Sequence, residues 1–200
     1  MKKTTLISSC LLILSFTANA QLDTKLNILS LANRKPEISL EAGYDKFSLE
    51  LINGLIFKKW GQASVYDDEG NYLGDTGYKR FGYNGVLKAN YYFSPDETID
   101  GWKLSPYLRY RMTNVDFSDP VKEHRFGAGL MFGRKGLMFD QFGYDLEAGF
   151  GYWVFSKAKL RQSGEPFTLE EEFPFFGEIM NSLRKYDIPF RASVFYRIGG

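Results

Sequence analysis

The sequence is poor in the residues that most metal sites and nucleophilic enzymes need. Its 200 residues include one cysteine, Cys10, and one histidine, His124. One thiol makes neither an intrachain disulfide nor a cysteine-bound metal site. Charge of one sign is also missing, since 25 basic residues face 24 acidic ones. A chain so balanced has no surplus cations for a phosphate backbone, and no nucleic-acid partner is expected. Beyond an apolar stretch at 6–16 there is no long hydrophobic run, and mean hydropathy is −0.29. A helical membrane protein is thereby excluded.

Aromatic residues are abundant instead, with 18 Phe, 13 Tyr and 3 Trp, alongside 20 Gly. So much apolar surface does not stay unfolded, and the length suits one domain. The first twenty residues read as a processing segment. Lys2 and Lys3 are basic, 6–16 are apolar, and Ala18-Asn19-Ala20 forms an A-x-A cleavage site before Gln21. Ile7-Ser8-Ser9-Cys10 loosely imitates a lipoprotein signal. The apolar stretch before Cys10 is too short for one, however, and more apolar residues follow it. Cleavage after Ala20 removes Cys10 and two lysines, leaving one base fewer than the acids. The exported chain, 21–200, thus has no thiol chemistry.

Across 21–200 the dominant pattern is apolar/polar alternation with period two, broken by turn residues. It is clearest over 80–93. Phe81, Tyr83, Leu87, Ala89, Tyr91 and Phe93 share one face, and Gly82, Asn84, Val86, Lys88, Asn90 and Tyr92 the other. Seven further strands are expected at 24–31, 36–44, 46–57, 103–113, 125–133, 142–154 and 188–198. Eight strands, an even number, suit a closed antiparallel barrel with both termini at one end.

Alternation does not say which face is inside. Three features favour an inverted, transmembrane barrel. Glycines such as Gly82, Gly127, Gly129, Gly143, Gly149 and Gly151 crowd the charged face, where a narrow lumen needs small residues. The charges on that face sort by strand: Glu37, Glu41, Glu50, Asp145 and Glu147 are acidic, and Lys88, Arg109, Arg111, Arg125, Arg191 and Arg197 basic. Internal pairing is available to them, with the carboxylates as partners of Arg109, Arg111 and Arg191. Aromatics also gather at strand ends. Tyr44, Phe47, 91–93, Trp102, Phe139 and Phe142 form one girdle; Phe57, Trp60, Tyr78, Phe81, Tyr152 and Phe155 form the other. The fold expected is all-β, an eight-stranded antiparallel up-and-down transmembrane barrel.

Short connections at Asp45-Lys46, 94–102 and 134–141 fall at the end holding the termini. The opposite end receives a link at 32–35 and loops at 58–79, 114–124 and 156–187. The 58–79 segment reads as a hairpin that continues outward. Its acidic tip, Asp67-Asp68-Glu69-Gly70-Asn71, lacks the spacing of a calcium loop, and no metal or cofactor is expected. In the last loop Phe175, Phe176, Ile179, Met180 and Leu183 recur at helical spacing, a candidate surface that packs on the rim or contacts a partner.

His124 with Ser118 and Glu123 is the only set resembling a lipid-modifying catalytic centre. Neighbours along one loop need not converge, and a histidine at the lipid interface is the plainer reading. The lumen carboxylates resemble an acid/base pair. Eight strands, however, leave an interior just filled by side chains, which argues against substrate entry and against a pore. The expectation is a non-enzymatic barrel with an ion-paired lumen, serving an envelope-structural or surface partner-binding role. A lipid A deacylase or acyltransferase, a narrow channel and a soluble lipid-binding barrel are the alternatives.

In pattern the mature chain resembles the small outer-membrane barrels of the OmpA/OmpX-like superfamily. It is most similar to barrels of unassigned function that open with a Lys-x-Asn strand (Lys25-Leu26-Asn27) and a Pro-x-hydrophobic-x-hydrophobic-Glu strand (36–41). The resemblance implies export through a Sec signal peptide, Bam-type insertion and a Gram-negative outer-membrane location. Contact with outer-membrane lipid and lipopolysaccharide, a monomeric state, and an extracellular or envelope protein partner are expected as well. The ending Ile198-Gly199-Gly200 departs from the usual terminal aromatic of an insertion signal.

Overall fold

The computed structural model describes residues 21–66, 72–93, 95, 99–116, 120–160, 163–166 and 185–198. Within these, the side chains of 58–80 and 115–116 are left aside. The described residues form nine strands and one short helix: β1 Gln21–Asn27, α1 Ile28–Ala32, β2 Glu37–Tyr44, β3 Phe47–Tyr66, β4 Tyr72–Tyr92, β5 Gly101–Asp116, β6 Val121–Leu137, β7 Phe142–Leu160, β8 Tyr186–Asp187 and β9 Phe190–Ile198. Every pairing is antiparallel. β8 and β9 both lie along β7, separated by Ile188 and Pro189, and together make one stave. The order β6-β5-β4-β3-β2-β1-β9-β7 closes through β6 and β7 into an eight-stranded barrel.

Burial is inverted relative to a water-soluble barrel. Leu40, Leu51, Leu87 and Leu108 face one another across successive strand pairs, and each is about half exposed on the outer wall (51%, 51%, 48% and 47%). Lys25, Glu41, Glu50, Lys88, Lys103 and Lys135 are fully enclosed on the inner wall. Aromatic rings band the outside near the terminal end: Phe47 on Tyr91 at 5.1 Å, Tyr91 on Phe93 at 5.5 Å, Trp102 stacked on Phe132 at 5.1 Å, and Phe142 on Tyr196 at 5.0 Å. Of the aromatics expected in that band, Tyr92 departs. It sits inside the lumen with no exposure, as its parity with Lys88 and Asn90 requires.

The first strand also differs from expectation. The strand expected at 24–31 stops at Asn27, and 28–32 form a helical turn. The Asn27 side chain accepts a hydrogen bond from the Ser30 backbone N–H at 3.2 Å and caps the turn. In a strand, consecutive Ile28 and Leu29 would point to opposite walls and one would enter the charged interior. The helical turn lets Ile28, Leu29 and Leu31 all face outward.

Elsewhere the strands run past their expected ends. β3 and β4 continue through 58–79 as the outward hairpin expected there, pairing as far as Tyr66 and Tyr72. The turn Asp45-Lys46 holds Asp45 at φ 54°, in the left-handed region that aspartate tolerates better than most residues. Beside it, Ile99 is fully buried, and its side chain fills the space a Cβ on Gly43 would need. Ile99 thus acts as a stopper at this end of the barrel.

Candidate functional site

Among the described residues the lumen is where charged side chains converge, and it has three layers. The layer nearest the termini is built on lysine. Lys25 Nζ contacts Glu41 at 2.7 Å, Glu50 at 3.0 Å, and Asp145. Lys88 donates to both oxygens of Glu147, at 2.5 and 2.7 Å, and lies 2.9 Å from Glu50. Lys103 reaches Asp145 at 2.7 Å and Glu147 at 3.1 Å. Lys135 joins Glu41 at 2.5 Å to Asp23, which Arg197 also holds at 3.1 Å. Neutral donors complete the shell, since Ser39 donates to Glu50 at 2.8 Å and Asn90 and Tyr92 donate to Glu41 at 2.8 and 2.7 Å. Ionised groups removed from water keep their charge only when paired and hydrogen-bonded in this way.

The carboxylates of Glu41, Glu50 and Asp145 lie within 4.8 Å of one another, a grouping that would suit a metal ion. The cation seated among them is the Lys25 ammonium. Above this layer is an apolar disc of Ile52, Val86, Tyr107 and Met131, buried and in mutual contact. On each strand these residues stand between the lysine layer and the open end. Val86, for example, separates Lys88 from Asn84, and Tyr107 separates Ser105 from Arg109. Two glycines make room for the Tyr107 ring, because a Cβ on either Gly129 or Gly151 would strike it.

The third layer is built on arginine. Arg109 donates to Asp187 at 2.5 Å, and Asp187 also accepts from the Tyr107 hydroxyl at 2.8 Å. Arg111 lies 4.0 Å from Asp187, and its guanidinium sits 5.0 Å from the Trp153 ring centre. Arg125 bonds Glu123 at 2.5 Å and flanks the same ring at 5.8 Å. Glu37 accepts from Asn27 at 2.9 Å and Asn84 at 3.0 Å. Arg191 stands between the layers, with loose ion pairs to Glu50 at 3.5 Å and Glu147 at 4.0 Å.

All eleven ionised residues singled out from the sequence lie on the inner wall, but their partners are redistributed. The central carboxylates bind lysines. Arg109 and Arg111 turn instead to Asp187, and Arg191 keeps only the long contacts just given. Lys25, Lys103, Lys135, Asp23 and Asp187 were not singled out, although strand parity reveals the first four. Lys103 shares parity with Arg109 and Arg111, and Lys135 with Arg125. Phe175, Phe176, Ile179, Met180 and Leu183 lie outside the described residues, as does Ser118. His124 is partly exposed on the outer wall and hydrogen-bonds the Tyr110 hydroxyl at 2.7 Å. Glu123 points the opposite way, into the lumen. This neighbouring acid therefore does not orient the imidazole.

Two solved structures are similar to this chain. One solved structure, Neisserial surface protein A (NspA), is 12% identical with a TM-score of 0.46, covering 90% of this chain and 96% of the other. A second, a major outer membrane protein from Thermus thermophilus, is 13% identical with a TM-score of 0.47, covering 90% and 98%. No curated protein matches the sequence. A family model described as "Protein of unknown function (DUF3575)" matches residues 5–173, and the chain belongs to that family.

Proposed function

We propose that the chain is an integral outer-membrane barrel with a sealed lumen, serving the envelope structurally and meeting partners through the loops at its open end. The observation that carries this reading is the inverted burial. A wall of half-exposed Leu, Phe and Val encloses lysines and glutamates with no exposure. Water would penalise so extensive an apolar surface, whereas acyl chains solvate it. The paired charges, for their part, satisfy one another without water. An outer-membrane site would follow export by a cleaved 1–20 segment and Bam-type insertion. The likeness to OmpA/OmpX-type barrels rests on the same pattern. Lipopolysaccharide then surrounds the outer half, and a protein partner meets the outer loops.

The lysine layer and the apolar disc argue against a channel. The opposed directions of Glu123 and His124 argue against a lipid-modifying enzyme. Three measurements test the proposal. Membrane-extracted protein should migrate faster on a cold detergent gel than after boiling, and planar bilayers should show no discrete conductance steps. Leu51→Arg, on the outer wall, should destabilise the refolded barrel by about 2–4 kcal/mol if that position meets the bilayer core. Recovery of the protein in the soluble fraction without detergent would overturn the membrane assignment.

A further inference from the structure

The wall of the barrel is not of even height. β1 has 7 residues and β2 has 8, whereas β3 to β7 have 16 to 21. Past Asn27 the neighbours of β1 continue without it. On one side the chain follows β3, with Leu55 N–H bonded to Pro36 O at 3.0 Å and Phe57 N–H to Arg34 O at 3.0 Å. On the other it follows β7, with Gly149 N–H bonded to Pro189 O at 2.9 Å and Trp153 N–H to Lys185 O at 2.8 Å. These two edges flank a notch that, among the described residues, only α1 fills.

A cavity of about 330 Å³ lies at this notch, with Leu29, Ser30 and Lys35 on one rim and Ile188, Pro189 and Phe190 on the other. Four cations, Lys35, Arg109, Arg111 and Arg191, line it against two carboxylates, Glu37 and Asp187. Both carboxylates are already engaged, Glu37 by two amides and Asp187 by Arg109 and Tyr107. Arg191 is 5% exposed, and its Nη1 and Nε face Glu50 at 3.5 Å and Glu147 at 4.0 Å without completing a hydrogen bond, while the Nε of Arg109 completes none either. Guanidinium donors left so in a buried site fit an anion that completes them. A second, mainly apolar groove of about 550 Å³ runs past Trp102, Phe132, Leu146 and Ala148. It shares Leu29, Phe190 and Arg191 with the first cavity.

A cationic hollow and an apolar groove that meet at the same three residues match the two ends of one molecule. We propose that the notch admits a phosphate-bearing membrane lipid sideways. Its head group sits among Arg109, Arg111 and Arg191, and an acyl chain lies along the outer groove. This inference rests on the membrane reading and adds a ligand to it. The bilayer is the source, because the groove opens on the wall that acyl chains cover.

The test uses the mature chain refolded into phosphatidylcholine nanodiscs carrying a trace of nitroxide-labelled phosphatidic acid. Bound lipid is read by native mass spectrometry after mild extraction and by the immobilised spin signal. Phosphatidic acid should be retained at least about tenfold over phosphatidylcholine, a difference of ~1.4 kcal/mol. Arg111→Gln should remove that preference, and Leu29→Trp, which narrows the mouth, should lower retention of the lipid whole. Equal retention of the two lipids, or unchanged retention in both variants, overturns the inference. So does inorganic phosphate displacing the label as effectively as the lipid does, because the groove would then contribute nothing. A protein that stays embedded and heat-modifiable but shows no preference refutes this inference alone. One that leaves the membrane refutes the reading beneath it.

Discussion

The two ends of the lumen use different cations, and the contrast is instructive. Toward the termini four lysines, each fully enclosed, bind five carboxylates at close range. Toward the open end arginines take over, less deeply buried and leaning on Trp153 and Tyr107 as much as on acids. An ammonium is a compact point charge that three oxygens surround, which makes it a good permanent knot. A guanidinium spreads its donors in a fork and stacks on rings. One end is therefore closely paired and the other more loosely held, with the dry disc of Ile52, Val86, Tyr107 and Met131 between them.

A graded series of substitutions probes that contrast. Lys25→Met leaves Glu41, Glu50 and Asp145 crowded without their shared cation. A loss of about 3–5 kcal/mol is expected in urea unfolding of the refolded protein, or failure to fold at all. Arg109→Met should cost less, about 1–3 kcal/mol, because Asp187 keeps the Tyr107 hydroxyl and Arg111 nearby. Arg111→Gln, at a side chain 24% exposed, should change stability by under about 0.5 kcal/mol. Equal costs at all three positions would mean that the two ends do the same job.

The alternation over 80–93 and 142–154 was enough to read the strands and their closure, because a period of two survives any choice of partner. The inverted orientation was readable too, since Gly127, Gly129, Gly149 and Gly151 leave room on one face only. Pairing inside the lumen was not. Which carboxylate meets Lys25 depends on strand stagger around the cylinder, and nothing local in the sequence encodes it. The notch was hidden for a related reason. Ile28 to Leu31 look like the end of a strand until the Asn27 cap is seen, and the unequal wall height appears only when all the pairings are assembled. Alternation already set Tyr92 on the charged face, and only the grouping of 91–93 as one girdle cluster placed it with its two outward neighbours.

The first strand carries Asp23 and Lys25, whose partners include Lys135, Asp145 and Arg197, more than 100 residues further along the chain. Until the final strand arrives to close the seam against β1, those two ions have no dry home and must stay hydrated. Closure of the cylinder thus waits on β9, which seals the seam between β1 and β7. Such distant contacts make for slow, all-or-none maturation, in which a truncated chain has little native structure to retain.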